Sequence, residues 1–285
     1  MPHSDPRTLV SAQWLKDHIK NPDLRIIDAS WFMPAQNRDT RAEYDAGHIP
    51  NARFFDIDEI CDQRSELPHM APTIEKFMSR MRAMGIGDGH QVVVYNTSGI
   101  FSAARVWWTF RLMGKTDVAV LDGGLPAWTA IGGETEDLPP VIRDRHMTVQ
   151  RQAHLIKDVT QVASASKLGN FDIIDARSAG RFAGTEPEPR DGLRSGHIPN
   201  SKSLPHENVV NADGTMKSPE ALKEVFQAAG VSLEKPVITT CGSGITAAIL
   251  CLAMERSGHS NHALYDGSWT EWGMYNDLKV ETSSC

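Results

Sequence analysis

Short β-branched runs alternate along this chain with stretches whose apolar residues recur at helical spacing. The run "PVIT" at 236–239 reads as a short buried strand, and from Ala247 the apolar positions Ala248, Leu252 and Met254 read as a helix that stops at Gly258. Cys241 therefore falls on a glycine-containing turn between a strand and a helix. Residues 74–84 and 218–229 carry further helical spacing. Strands alternating with helices in this way predict an α/β fold with parallel sheets.

The pattern is written twice. "LRIIDASW" at 24–31 recurs as "FDIIDARS" at 171–178, and "GHIPNA" from Gly47 recurs as "GHIPNS" from Gly196. "HQVVVYNTSGIFSAARVWW" from His90 matches "KPVITTCGSGITAAILCLA" from Lys235, and "AVLDGGLPAW" from Ala119 matches "ALYDGSWTEW" from Ala263. Four blocks recurring in one order predict a duplicated α/β unit, with domains at 1–136 and 159–285. The linker falls at 137–158, where "DLPPVIRDRH" has two prolines, high charge and no clear period. Anchoring the repeat on the "SAA" of Ser102 and the "TAA" of Thr246 sets Thr97 opposite Cys241, so only the second half carries a thiol there. The first half reads as a non-catalytic copy.

Composition narrows the class. A chain of 285 residues with 40% hydrophobic and 23% charged positions suits two ordinary globular domains, and a net charge of -7 gives no electrostatic reason to bind nucleic acid or an anionic membrane. No apolar run approaches the roughly 18 residues of a membrane span. Four cysteines (Cys61, Cys241, Cys251, Cys285) without a CxxC pair match neither a zinc site nor a disulfide scaffold. The opening "MPHSDPRTLV" lacks the basic and apolar regions of a signal peptide, so the expected setting is the reducing cytoplasm. No metal or organic cofactor is expected.

Three chemistries compete for the Cys241 turn, against the bland alternative of a buried small hydrophobe that suits Cys61 and Cys251. Backbone N–H groups freed by Gly242 and Gly244 can converge ahead of the helix, a field that stabilises a thiolate. "GSGITA" also satisfies the dinucleotide pattern G-x-G-x-x-A, with Asp266 a suitable distance beyond, although the equivalent turn "NTSGIFSA" lacks that pattern. A phosphatase turn needs an arginine six residues after the cysteine, where Ala247 stands. His48 and His197, present in both halves, read as structural.

Taken together, "EYDAGHIPNARFFDID", "RVWWTFRLMG", "LDGGLPAW", "GTEPEPRDG", "CGSGIT" and "YDGSWTEWG" resemble the two-domain sulfurtransferases of the rhodanese superfamily, most closely the branch that uses 3-mercaptopyruvate. The resemblance implies two tandem rhodanese-like domains, each a parallel sheet flanked by helices, facing each other across a cleft with Cys241 at its base. It implies sulfur transfer from 3-mercaptopyruvate through a persulfide on Cys241, ringed by Gly242, Ser243, Gly244, Ile245 and Thr246, to a thiol acceptor such as thioredoxin or to cyanide. It also implies a Ser243–His69–Asp58 relay assembled from both halves. Thiosulfate-using relatives carry basic residues directly after the cysteine, and here Gly242 and Ser243 stand there. Mercaptopyruvate bears its charge on a carboxylate at the far end of a three-carbon chain, so its arginines stand further off; the resemblance implies that Arg181 and Arg190, flanking "FAGTEPEP", hold the substrate carboxylate and ketone. The alternatives are a thiosulfate sulfurtransferase and a non-catalytic rhodanese-like binding module. At the arginines, the alternative is pairing with Glu186, Glu188 or Asp191 in their own loop.

Overall fold

The computed structural model describes residues 4–283, which leaves Cys285 outside the described residues. The chain divides into two compact units, each of which includes a short segment from the other half of the sequence. Unit 1 comprises Met1–Gln63, Pro72–Gln152 and Ala212–Met216; unit 2 comprises Arg64–Ala71, Ala153–Asn211 and Lys217–Cys285. Each unit is built on one five-stranded parallel sheet.

In unit 1 the strands are β1 (Leu9–Val10), β2 (Leu24–Asp28), β3 (Ala52–Phe54), β4 (Gln91–Tyr95) and β5 (Val118–Leu121), in spatial order β1-β5-β4-β2-β3. The helices are α1 (Ala12–His18), α2 (Thr40–Ala46), α3 (Ile74–Ala83), α4 (Ala103–Leu112) and α5 (Gly124–Ala130). Unit 2 repeats this with β6 (Ile156–Lys157), β7 (Asp172–Asp175), β8 (Ser201–Ser203), β9 (Val237–Thr240) and β10 (His262–Tyr265), in order β6-β10-β9-β7-β8. Its helices are α6 (Val159–Leu168), α7 (Ala179–Ala183), α8 (Pro219–Ala228), α9 (Ala247–Ser257) and α10 (Ser268–Trp272).

Central strands read as continuous apolar runs because helices cover both faces. Val92, Val93 and Val94 of β4 and Val237 and Ile238 of β9 are fully buried. Helices start and stop where the side chains dictate. Thr73 caps α3 by accepting the Lys76 amide, Ser218 caps α8 by accepting the Ala221 amide, and Gly258 ends α9 in the left-handed conformation. The two GHIPN histidines are locked alike. His48 bonds the Tyr44 carbonyl and stacks on that ring at 4.1 Å, while His197 bonds the Phe182 carbonyl and stacks at 3.8 Å. The asparagine of each motif takes a left-handed φ of 62°.

In each sheet the chain reverses its direction of winding between two central strands, β2 and β4 in unit 1, β7 and β9 in unit 2. Open parallel sheets bind ligands in the crevice beyond the carboxyl ends of such strands. The Cys241 turn leaves β9 at that place. Among the described residues, no helix is long and apolar enough to cross a membrane.

Candidate active site

The sequence of β9 is buried on both faces, so its carboxyl end is fixed, and α9 begins seven residues later with no side-chain cap at Thr246. The turn between them is held by α10. The amides of Trp269 and Thr270 donate to the carbonyls of Cys241 and Gly242 at 2.9 and 2.8 Å, and the Thr270 hydroxyl adds a second bond to Gly242 at 2.7 Å. Ser268, at a φ of 50°, accepts the Cys241 amide through Oγ at 3.2 Å. Cys241 itself is 2% exposed. Gly244 takes a left-handed φ of 81°, which turns the chain back toward the helix.

Around this turn the structure gathers four of the other expected residues. His69 Nδ1 lies 3.0 Å from Ser243 Oγ, and both residues are buried. His69 comes from the Arg64–Ala71 segment of unit 2 and has a left-handed φ of 60°, unusual for a residue with a side chain. Its loop is anchored by Asp266, whose Oδ2 accepts the Ala71 amide at 2.7 Å. Arg181 and Arg190 meet at Gly242: a Cβ on that glycine would lie 3.2 Å from Arg181 Nη2 and 3.9 Å from Arg190 Nη1. A side chain here would intrude on the guanidinium groups, so glycine keeps the space next to Cys241 open.

Arg181 also pairs within its own loop. Glu188 accepts from Arg181 Nη2 at 2.5 Å and from Nε at 3.2 Å, and its other partner is Arg177 Nη1 at 2.7 Å. Arg177 is fully buried, forked onto Asp175 at 2.6 Å and laid over the Trp269 ring at 4.2 Å. Burial disfavours its charge, but Asp175 and Glu188 outweigh that and raise its pKa. The loop pairing and the approach to the turn, set out above as alternatives, therefore coexist in Arg181.

Ile245 is buried and Thr246 half-buried at the head of α9. Asp58 lies on an exposed turn of unit 1, where Oδ2 accepts the Trp31 indole N–H at 2.9 Å. Cys61 and Cys251 are buried free thiols. Arg177, Ser268, Thr270 and the anchoring use of Asp266 carry no signal in the sequence, and Glu188 is foreseen there only as one of three loop partners for the arginines. Asp266 was noticed only as the acidic residue of a dinucleotide pattern.

One equivalence between the halves needs correcting. The residue opposite Cys241 is Asn96, not Thr97. Tyr95 and Thr240 occupy matching registers, beside Asp28 and Asp175, and the Asn96 carbonyl accepts the Leu125 amide as that of Cys241 accepts Trp269. Gly99 and Gly244 then coincide at φ 75° and 81°. The unit 1 turn is one residue longer, with Phe101 as the extra position, and anchoring on the helix side pushed that insertion onto the strand side.

A model of the rhodanese-like domain matches residues 11–131 and 158–275. Thiosulfate/3-mercaptopyruvate sulfurtransferase 1, mitochondrial, of Arabidopsis thaliana is 42% identical, covering 98% of this chain and 79% of its own length. The 3-mercaptopyruvate sulfurtransferase of Escherichia coli K12 is 41% identical over 95% of this chain and 97% of the relative. The crystal structure of the E. coli 3-mercaptopyruvate sulfotransferase SseA superposes with a TM-score of 0.85 at 38% identity, covering 92% of this chain and 98% of that one.

Proposed function

We propose a function from this premise: the chain belongs to the rhodanese family, and in unit 2 two guanidinium groups approach Gly242, the residue after a buried thiol. It acts as a sulfurtransferase that takes sulfur from 3-mercaptopyruvate. The Cys241 thiolate attacks the donor sulfur, the carbon–sulfur bond breaks, and its electron pair leaves as the enolate of pyruvate. Proton delivery to that carbon falls to the Ser243 hydroxyl backed by His69. The persulfide left on Cys241 is then attacked at its outer sulfur by a thiol such as that of thioredoxin, or by cyanide, which restores the thiolate. Splitting the transfer into two half-reactions gives ping-pong kinetics.

The observation that carries this reading is the approach of Arg181 and Arg190 to Gly242, one residue from the nucleophile. A planar guanidinium fork suits a carboxylate held a few bonds from the reacting sulfur. The turn itself lacks a cation, which leaves a compact dianion such as thiosulfate with weaker local compensation. A second donor is still favoured by the same two guanidinium groups, and the Arabidopsis relative's name pairs both donors. Cys61, Cys241 and Cys251 are free thiols, in keeping with the reducing cytoplasm as the compartment.

The test is turnover by the purified chain with each donor, reading pyruvate release from mercaptopyruvate and thiocyanate formation with cyanide. Mercaptopyruvate is the better donor in kcat/KM, with parallel double-reciprocal lines. Absence of turnover with mercaptopyruvate contradicts the reading.

A further inference from the structure

Glu188 is a carboxylate that touches a cation of the donor site. Its side chain is 2% exposed, held between Arg177 and Arg181, and of the two donor-site guanidinium groups that of Arg181 is nearer to Gly242. Arg177 needs little from it, since Asp175 already meets that cation at 2.6 Å and the Gly196 carbonyl accepts another of its N–H groups at 2.8 Å. The contact to Arg181 is different in kind. It places a negative charge one guanidinium away from the space where a donor anion sits, in surroundings where water screens little.

We infer that Glu188 is a specificity-determining residue: its carboxylate offsets the charge of Arg181 and so biases the site toward singly charged donors over doubly charged ones. The inference rests on the sulfurtransferase reading above and deepens it. Mercaptopyruvate brings one negative charge and thiosulfate two, so each feels the Glu188 carboxylate in proportion. Removing that carboxylate raises the local charge by one whatever the state of Arg190. The dianion gains about twice as much as the monoanion. Across a few ångströms of partly buried protein, one unit of charge is worth a factor of ten or more in binding.

The experiment compares kcat/KM for both donors in the wild type, Glu188→Gln and Glu188→Asp. Glu188→Gln keeps the shape and one acceptor, and Asp175 remains to hold Arg177. The expected result is an approximately tenfold rise in the ratio of thiosulfate to mercaptopyruvate efficiency for Glu188→Gln, with a steeper loss of thiosulfate efficiency as salt is added. Glu188→Asp, which keeps the charge, holds the ratio near that of the wild type. A ratio that stays unchanged in Glu188→Gln, or that moves toward mercaptopyruvate, overturns the inference. Should the amide variant fail to fold, Glu188→Met carries the same comparison with a neutral side chain of similar volume. A wild type that uses neither donor overturns the underlying reading instead, and the two failures are distinct.

Discussion

The turn after β4 in unit 1 and the turn after β9 in unit 2 share one backbone design and differ in what it carries. In both, an aspartate at the end of the last long strand clasps the amide of a loop: Asp122 Oδ1 accepts from Met216 at 2.8 Å, and Asp266 Oδ2 accepts from Ala71 at 2.7 Å. In both, a left-handed residue precedes the clasped amide by two positions, Gly214 at φ 81° and His69 at φ 60°. The contents then diverge. Unit 1 has Asn96, Thr97 and Gly214 where unit 2 has Cys241, Gly242 and His69. The next three positions are kept, Ser98, Gly99 and Ile100 matching Ser243, Gly244 and Ile245. Tyr44 and Phe182 are equivalent through their histidine contacts, so Glu43 stands where unit 2 has Arg181. Its partner is Arg38, at 2.6 Å. The fold is kept twice, and the residues proposed for the chemistry stand in one copy.

That contrast can be broken first at the nucleophile. Cys241→Ser abolishes sulfur transfer, because an alcohol is far less ionised and cannot hold a persulfide. Adding Asn96→Cys to that variant leaves it inactive, since a thiol in unit 1 has neither the His69 nor the Arg181 equivalent. Recovery of turnover in that double variant contradicts the division of labour. The next effect in size concerns Ser243 and His69. Alanine at either slows mercaptopyruvate turnover by about 10²–10⁴-fold, the range for a general acid–base group, and the double variant is little worse than either single one. Losses that simply multiply mean that the two side chains act independently.

Arg181→Ala comes third. It removes a charge-assisted contact to the donor carboxylate, worth about ten- to a hundredfold in kcat/KM for mercaptopyruvate, with a smaller loss for thiosulfate. Equal losses for both donors assign the arginine to structure. The smallest effect lies behind the turn, where unit 2 has Cys251 and His262 at the places of Trp107 and Val118. Burial works against a charged His262, but the Cys251 thiol and the Glu255 carboxylate outweigh it and raise its pKa to about 9 from 6.5. A raised folded pKa contributes stability that is full below 6.5 and lost as pH rises through about 9. His262→Val therefore loses thermal stability relative to the wild type at pH 6, and the gap closes by pH 10. A gap that is the same at both pH values contradicts a charged His262.

How much of this could be read in the sequence differs by element. The strand, turn and helix around Cys241 were legible because a buried strand, two glycines and an apolar helix each leave a distinct period or breaker. The edge strands β1 and β6 were not, since two residues cannot show alternation and their place is set by pairing with β5 and β10. The convergence of Arg181 and Arg190 came from resemblance, because loop residues carry no periodic signal of where they point. His69 was legible in the same way only. Nothing in "LPHMAP" shows that its segment belongs to unit 2, and the anchoring bond to Asp266 spans 195 residues of sequence. Asp266 and Glu188 were visible as acidic residues, but their roles depend on which donors the fold brings to them.

Under the proposed function, sulfur passes through the unit 2 turn and nowhere else in the chain. Its most direct measurement is mass spectrometry of peptides from the wild-type protein after mixing with one equivalent of 3-mercaptopyruvate and no acceptor. One added sulfur is expected on the peptide that holds Cys241, discharged when a thiol or cyanide is supplied. Sulfur on the peptide of Cys61, Cys251 or Cys285, or none on Cys241 while pyruvate is released, contradicts it.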